Sequence, residues 1–153
     1  MQVIQNIRTF ALPFENRTYT FKMKYKYDSW NRIQKMTYPD GEVVSYAYNK
    51  GGMLKSMTGE KNGVPYWYIY NIHYNEFELK EAVEYGNGTR AFYEYDTLQR
   101  LHHLRSESAD GTMQDIDYDY DEVSNISKIV NYAGMLPTGL GGTYGQQSLR
   151  GHQ

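Results

Sequence analysis

Apolar residues in this chain recur in pairs three apart. Ile33 with Met36, Leu54 with Met57, Leu101 with Leu104 and Ile126 with Ile129 each follow a Tyr-Asx step at a fixed offset. A flat strand needs even spacing to keep residues on one face, so a recurring step of three fits either a helical turn or a strand carrying an extra residue. The segments are short and bounded by hairpin signals. The strand reading is therefore favoured, with one β-bulge expected in each repeat. The stretch "YWYIYNIHY" alternates instead. It predicts a strand with Tyr66, Tyr68, Tyr70, Ile72 and Tyr74 on one face and Trp67, Ile69, Asn71 and His73 on the other.

Two series of turn markers separate these segments. Tyr followed by Asp or Asn starts at Tyr27, Tyr48, Tyr74, Tyr95 and Tyr120, at intervals of 21, 26, 21 and 25 residues. Asp or Asn followed by Gly starts at Asp40, Asn62, Asn87 and Asp110, at intervals of 22, 25 and 23. The two series interleave. Asx-Gly steps supply the positive φ angles of tight hairpins, so Gly41 and Gly88 are expected in that region. The Asp or Asn of a Tyr-Asx step can hold backbone amides two residues on. Asn31 and Gly52 occupy the position of that second turn that favours a left-handed backbone, where Glu78, Gln99 and Ser124 stand in later copies.

Two turns per repeat leave two short strands, which predicts ten to twelve strands, each hairpinned to the next. The expected organisation is a lead-in over 1–20, an all-β repeat sheet of about five repeats over 21–132, and a Gly-rich, loosely ordered tail over 133–153. Within "TYTFKMKYKY", Thr18 to Tyr27, Thr and Lys alternate with aromatic residues and Met23. This stretch is the expected first strand, with a free edge.

Composition narrows the function. Tyrosine, with 17 residues, dominates the aromatic set, and it suits half-buried pleated surfaces. The formal charge of -2 and the lack of a clustered basic face argue against nucleic-acid binding. There is no cysteine, so disulfides and thiolate metal sites are excluded. No run of about 18 apolar residues suggests a membrane span. The N-terminal stretch lacks the basic and apolar segments of a Sec signal. Such a chain stays inside its cell, leaves by another route, or is an internal piece of a longer protein.

The pattern Tyr-x-Tyr-Asp, then Tyr-x-Asx-Gly, then Tyr-x-Tyr resembles the RHS or YD-repeat family. The residues that carry it are Tyr25, Tyr27, Asp28, Asn31, Tyr38, Asp40, Gly41, Tyr46, Tyr48 and Gly52, then Tyr74, Asn87, Gly88, Tyr93, Tyr95 and Asp96, then Tyr118, Tyr120 and Asp121. Asn31 stands where the family pattern has Gly. Glu78 and Leu79, then Ser124 and Asn125, replace its Gly-Arg pair. The resemblance implies a single curved or spiral sheet, a segment of a hollow shell that encloses a toxin in bacterial members. Animal teneurins are more distantly similar. It further implies an exported or cell-surface full-length protein. The implied partners are the rest of the shell and a C-terminal toxin cargo, with edge-to-edge homo-oligomers when the segment is isolated.

The remaining clusters have plainer readings. Asp115, Asp117, Asp119 and Asp121 alternate, but an EF-hand starting at Asp115 would need Gly where Tyr120 stands and Glu where Ile126 stands. A strand with solvent-facing aspartates and inward Ile116, Tyr118 and Tyr120 explains them better. His102 and His103 are adjacent, hence on opposite strand faces, and suit no shared metal. No nucleophile elbow, phosphate loop or zinc motif occurs, so the chain is read as non-catalytic and without cofactor. Asn16, Asn87 and Asn125 begin glycosylation triplets, and Asn87 is better explained by its turn. The competing function is a glycan- or surface-binding β module, with Tyr66, Trp67 and Tyr68 as the candidate contacts.

Overall fold

The computed structural model describes residues 3–11 and 18–133, and they contain strands and turns and no helix. Eleven strands follow in chain order: β1 Val3–Ala11, β2 Thr18–Tyr27, β3 Ile33–Thr37, β4 Val43–Tyr48, β5 Leu54–Lys61, β6 Val64–Tyr74, β7 Lys80–Tyr85, β8 Arg90–Tyr95, β9 Leu101–Ser108, β10 Gly111–Tyr120 and β11 Ile126–Asn131. The sheet order is the sequence order, and the pairs from β1–β2 to β5–β6 and from β7–β8 to β10–β11 are antiparallel. The chain divides into two compact units, Met1–Asn71 and Ile72–Gln153, with the boundary inside β6.

In the first unit the sheet starts earlier than the repeat pattern suggests. Val3–Ala11 lies in the expected lead-in and pairs with β2 from Val3↔Lys26 to Ala11↔Thr18. Thr18–Tyr27 is therefore bonded on both sides, by β1 and β3, and its expected free edge is a correction. Lysine-rich alternation describes an exposed face, which a strand presents whether or not its edges are paired.

Bulges fall where the three-residue step predicts them. Tyr27 opposes Ile33 while Lys26 opposes Lys35, which leaves Gln34 as the extra residue. Lys55 is extra in the same way opposite Ala47 and Tyr48, His102 opposite Glu94 and Tyr95, and Ser127 opposite Asp119 and Tyr120. Each bulge follows directly on a Tyr-Asx turn and restores Ile33 and Met36, or their counterparts, to one face.

β6 departs from the expected alternation. Met57 opposes Ile69 while Thr58 opposes Trp67, so Tyr68 is an extra residue. The bulge shifts the face assignment by one. Trp67 and Tyr70, expected on opposite faces, meet edge to face with ring centroids 5.1 Å apart. Periodicity cannot register such an insertion, because it arises from pairing with β5.

The buried apolar set is thin. Among the described residues, Val44 in the first unit and Ile72, Val83 and Ala91 in the second are buried, and no large side chain is fully buried. Val83 opposes Ala91 across β7 and β8. Each strand of a sheet covered by a second layer would bury alternate residues of one face. Here most are only half-covered. The Gly-rich tail lies outside the described residues from 134 onward.

Candidate functional site

The recurring structure is the Tyr-Asx turn. At Asp28, Asn49, Asn75, Asp96 and Asp121 the backbone amide donates to the carbonyl four residues on at 2.8–2.9 Å. The amide three residues on returns a bond at 2.9–3.1 Å. Oδ1 of each Asx accepts the amide four residues on, from Arg32, Met53, Leu79, Arg100 and Asn125, at 2.8–3.0 Å. Closing this loop requires a left-handed residue at the third position after the Asx. Asn31, Gly52, Glu78, Gln99 and Ser124 all have φ between 62° and 89°. Glu78, Gln99 and Ser124 look unsuited by residue type, yet the turn is the same in all five copies. The side chain of the Asx holds the geometry at the cost of modest strain.

The second carboxylate oxygen explains which turns use Asp and which Asn. Asp28 Oδ2 accepts Arg32 Nε at 2.8 Å, Asp96 Oδ2 accepts Arg100 Nε at 2.6 Å, and Asp121 Oδ2 accepts Asn125 Nδ2 at 3.1 Å. Asn49 and Asn75 face Met53 and Leu79, whose side chains have nothing to donate. A charged oxygen without a donor is costly, so Asn stands there. The backbone amide of Arg32 is the first cause of a lowered Asp28 carboxyl pKa, and that of Asn125 does the same for Asp121.

The turns are tied to one another by tyrosine and arginine. Tyr48 donates its hydroxyl to the Ile33 carbonyl at 2.7 Å, Tyr95 to Lys80 at 2.9 Å and Tyr120 to Leu101 at 2.7 Å. Each acceptor is the first residue after the preceding Tyr-Asx turn, and Ile33 and Leu101 each stand directly before a bulge residue. Arg32 Cζ lies 4.2 Å from the Tyr48 ring centroid and 4.6 Å from that of Trp30, and Arg100 Cζ lies 4.5 Å from that of Tyr120. One guanidinium thus pairs with its own Asp and stacks on the next Tyr. Burial, the leading cause, raises the Tyr48 phenol pKa, and Arg32 opposes it.

The other signature residues have local roles. Gly41 and Gly88 have φ of 88° and 83°, as expected. Their turns close by Tyr38 N to the Glu42 carbonyl at 2.8 Å and Tyr85 N to the Thr89 carbonyl at 2.9 Å. Asp40 Oδ1 accepts the Glu42 amide, and Asn87 Oδ1 accepts the Thr89 amide. Tyr46 and Tyr93 are half-buried on β4 and β8, and burial leads the rise in their phenol pKa values. Tyr25, Tyr27, Tyr74 and Tyr118 are also half-buried.

The three proposed glycan contacts are not equivalent. Tyr66 and Tyr68 both donate to Glu42 Oε1, and their rings meet edge to face at 5.3 Å. Glu42 is the first cause of the raised Tyr66 and Tyr68 phenol pKa values. Gly59 faces Tyr66 across β5 and β6, and a Cβ there would overlap the Tyr66 ring. Trp67 instead joins Tyr70 on an exposed face. His103 Nε2 lies 2.7 Å from Asp115 Oδ1 and its Nδ1 3.7 Å from Asp117 Oδ1, so these two aspartates are half-covered and not free on the solvent face. His102 Nδ1 lies 3.3 Å from the Tyr118 carbonyl. The Glu42 cluster joins a turn to β6 and the His103 cluster joins β9 to β10, and nothing in their spacing marks them beforehand.

Residues 25–64 match the family model described as RHS Repeat. That stretch of the chain is similar to an RHS repeat. The chain is 33% identical over 101 residues to toxin subunit YenC1 of Yersinia entomophaga, an alignment covering 61% of this chain and 10% of that protein. A TcdB2-TccC3-TEV crystal structure matches 84% of this chain and 7% of its own at TM-score 0.75 and 20% identity, which speaks for the fold. The Photorhabdus luminescens Tc holotoxin pore with a TccC3 mutation matches 73% and 5% at TM-score 0.69 and 25% identity. The chain thus spans a small part of each relative. The similarities are to toxin-complex proteins, and the glycan reading of Tyr66, Trp67 and Tyr68 draws no support from them.

Proposed function

We propose that this chain is a segment of the wall of an RHS-repeat shell, which encloses a C-terminal toxin in the full-length protein and performs no catalysis itself. The observation that carries the reading is a sheet that adds hairpins in sequence order while burying only four apolar side chains among the described residues. A domain that works alone buries a core. A wall needs only continuity, and the Asx turns and the Tyr hydroxyls that bond one repeat to the one before provide it. The similarity to a toxin subunit supports the same role. The partners are then the remainder of the shell and its cargo, and the full-length protein is exported or displayed at the cell surface. Alone, the segment associates through β1 and β11, each bonded to one strand among the described residues.

Limited proteolysis of the full-length protein tests this. The C-terminal region should resist digestion when expressed with an intact repeat region, and be cut rapidly when expressed without it. Equal rates of cleavage in the two forms would refute enclosure.

A further inference from the structure

Between the third and fourth Tyr-Asx turns lies an open place that Arg32 fills between the first and second turns and Arg100 between the fourth and fifth. Around Arg32 stand Asp28, Trp30, Tyr48 and Gly52; around Arg100 stand Asp96, Tyr120, the Asp121 carbonyl and Ser124. Counting from each Asx, the matching residues between the third and fourth turns are Asn75, Phe77, Tyr95, Asp96 and Gln99. All five line one open cleft of about 310 Å3 in the second unit. The residue that would supply the guanidinium is Leu79.

We propose that this cleft is a receptor site for the guanidinium of an arginine side chain presented by another stretch of polypeptide. Tyr95 keeps the hydroxyl bond to the Lys80 carbonyl that its counterparts make, so the ring is fixed before any cation arrives. Tyr48 and Tyr120 are each faced by a guanidinium, at 4.2 and 4.5 Å, whereas no cation of the described residues lies over the Tyr95 ring. The cleft also takes in Glu81 and Glu94. Both filled sites lack a carboxylate at the Glu81 place, where Gln34 and His102 stand, while the Glu94 place holds Ala47 near Arg32 and Asp119 near Arg100. Glu81 occupies the place of the bulge residues Gln34 and His102. An incoming fork loses the Asp pair that Asn75 cannot offer and gains a carboxylate from Glu81 or Glu94. A planar guanidinium suits the ring face and the carboxylate together better than a lysine ammonium does.

The test is an amide-resolved NMR titration of the whole chain with argininamide, lysinamide as control. Saturable shifts at Tyr95 and Gln99 in the millimolar range, several-fold weaker for lysinamide, are the expected result. Leu79→Arg, alone and with Asn75→Asp, should restore the tethered guanidinium, weaken argininamide binding at least tenfold and raise the melting temperature. Absence of saturation below about 50 mM in the wild-type chain would overturn the proposal, as would equal shifts in a folded Leu79→Arg chain. The wild-type titration decides on its own if the variants fail to fold. Its failure would leave the wall reading untouched, which rests on enclosure.

Discussion

The two turn series use opposite strategies. The Asx-Gly turns are alike in sequence and unlike in form. Gly41 and Gly88 sit in turns closed by Tyr38 and Tyr85, whereas Asn62 and Gly63 both have positive φ in a two-residue turn between Lys61 and Val64. Glycine permits several left-handed geometries, and local pairing picks one. The Tyr-Asx turns are unlike in sequence at their strained position and alike in form. Their shape is fixed by side-chain oxygen bonds and by links to the neighbouring repeat, so residue type at the strained position matters little. Repetition in this chain is thus enforced by hydrogen bonding more than by glycine.

The largest expected effect sits outside both series and calibrates them. Gly59 has an ordinary φ, and its substitution is penalised by the Tyr66 ring alone. Gly59→Val should cost about 2–3 kcal/mol in urea unfolding, from overpacking and displacement of Tyr66. A smaller change than in Gly88→Val would mean that β5 and β6 yield more easily than a turn. At Gly88 a Cβ meets nothing within 4 Å, so the penalty there is purely conformational. Gly88→Val should cost about 1–2 kcal/mol. The reverse change in the other series, Gln99→Gly, should stabilise by about 0.5 kcal/mol, as relief of left-handed strain outweighs lost backbone entropy. A destabilised Gln99→Gly would show that Gln99 does more than tolerate its φ of 63°.

The link between repeats is tested by Tyr120→Phe. The ring and its Arg100 contact remain while the Leu101 carbonyl loses its donor. The expected loss is about 1 kcal/mol by the same unfolding measurement. No loss would reduce the tyrosine ladder to packing.

The smallest effect is pH dependence. The Arg32 amide holds the Asp28 carboxyl below its ordinary 3.8, and the Asn125 amide does so for Asp121. A lowered folded-state value contributes stability that is present above the unfolded value and lost as pH falls through the folded one. The melting temperature should therefore hold above about pH 5 and decline below about pH 4. Asp28→Asn should make that decline shallower. A flat profile down to pH 3 would contradict the role given to these carboxylates.

Much of this was legible from residues because it is local. A positive φ at Gly41, a hairpin at Asp40-Gly41 and a bulge after Tyr27 each follow from residues within one turn or strand end. The all-β class and the order of hairpins follow from repeating those signals. The candidate sites were less legible. Tyr48 and Tyr120 were visible as markers, yet their hydroxyl acceptors lie in the previous repeat. The Asp-or-Asn choice could have been read against the residue four places on, since Asp28, Asp96 and Asp121 precede Arg32, Arg100 and Asn125 while Asn49 and Asn75 precede Met53 and Leu79.

The sequence by itself determined where the repeats turn and where a residue is inserted after the first, second, fourth and fifth Tyr-Asx turns, because turn chemistry and strand periodicity act between near neighbours. Tertiary structure alone decided that Val3–Ala11 covers the edge of β2, that Tyr68 bulges and brings Trp67 to Tyr70, and that Glu42 gathers Tyr66 and Tyr68. It also decided that the guanidinium place beside Tyr95 stands open. Each depends on which strand lies alongside and in what register, and a one-residue shift in register reverses every face.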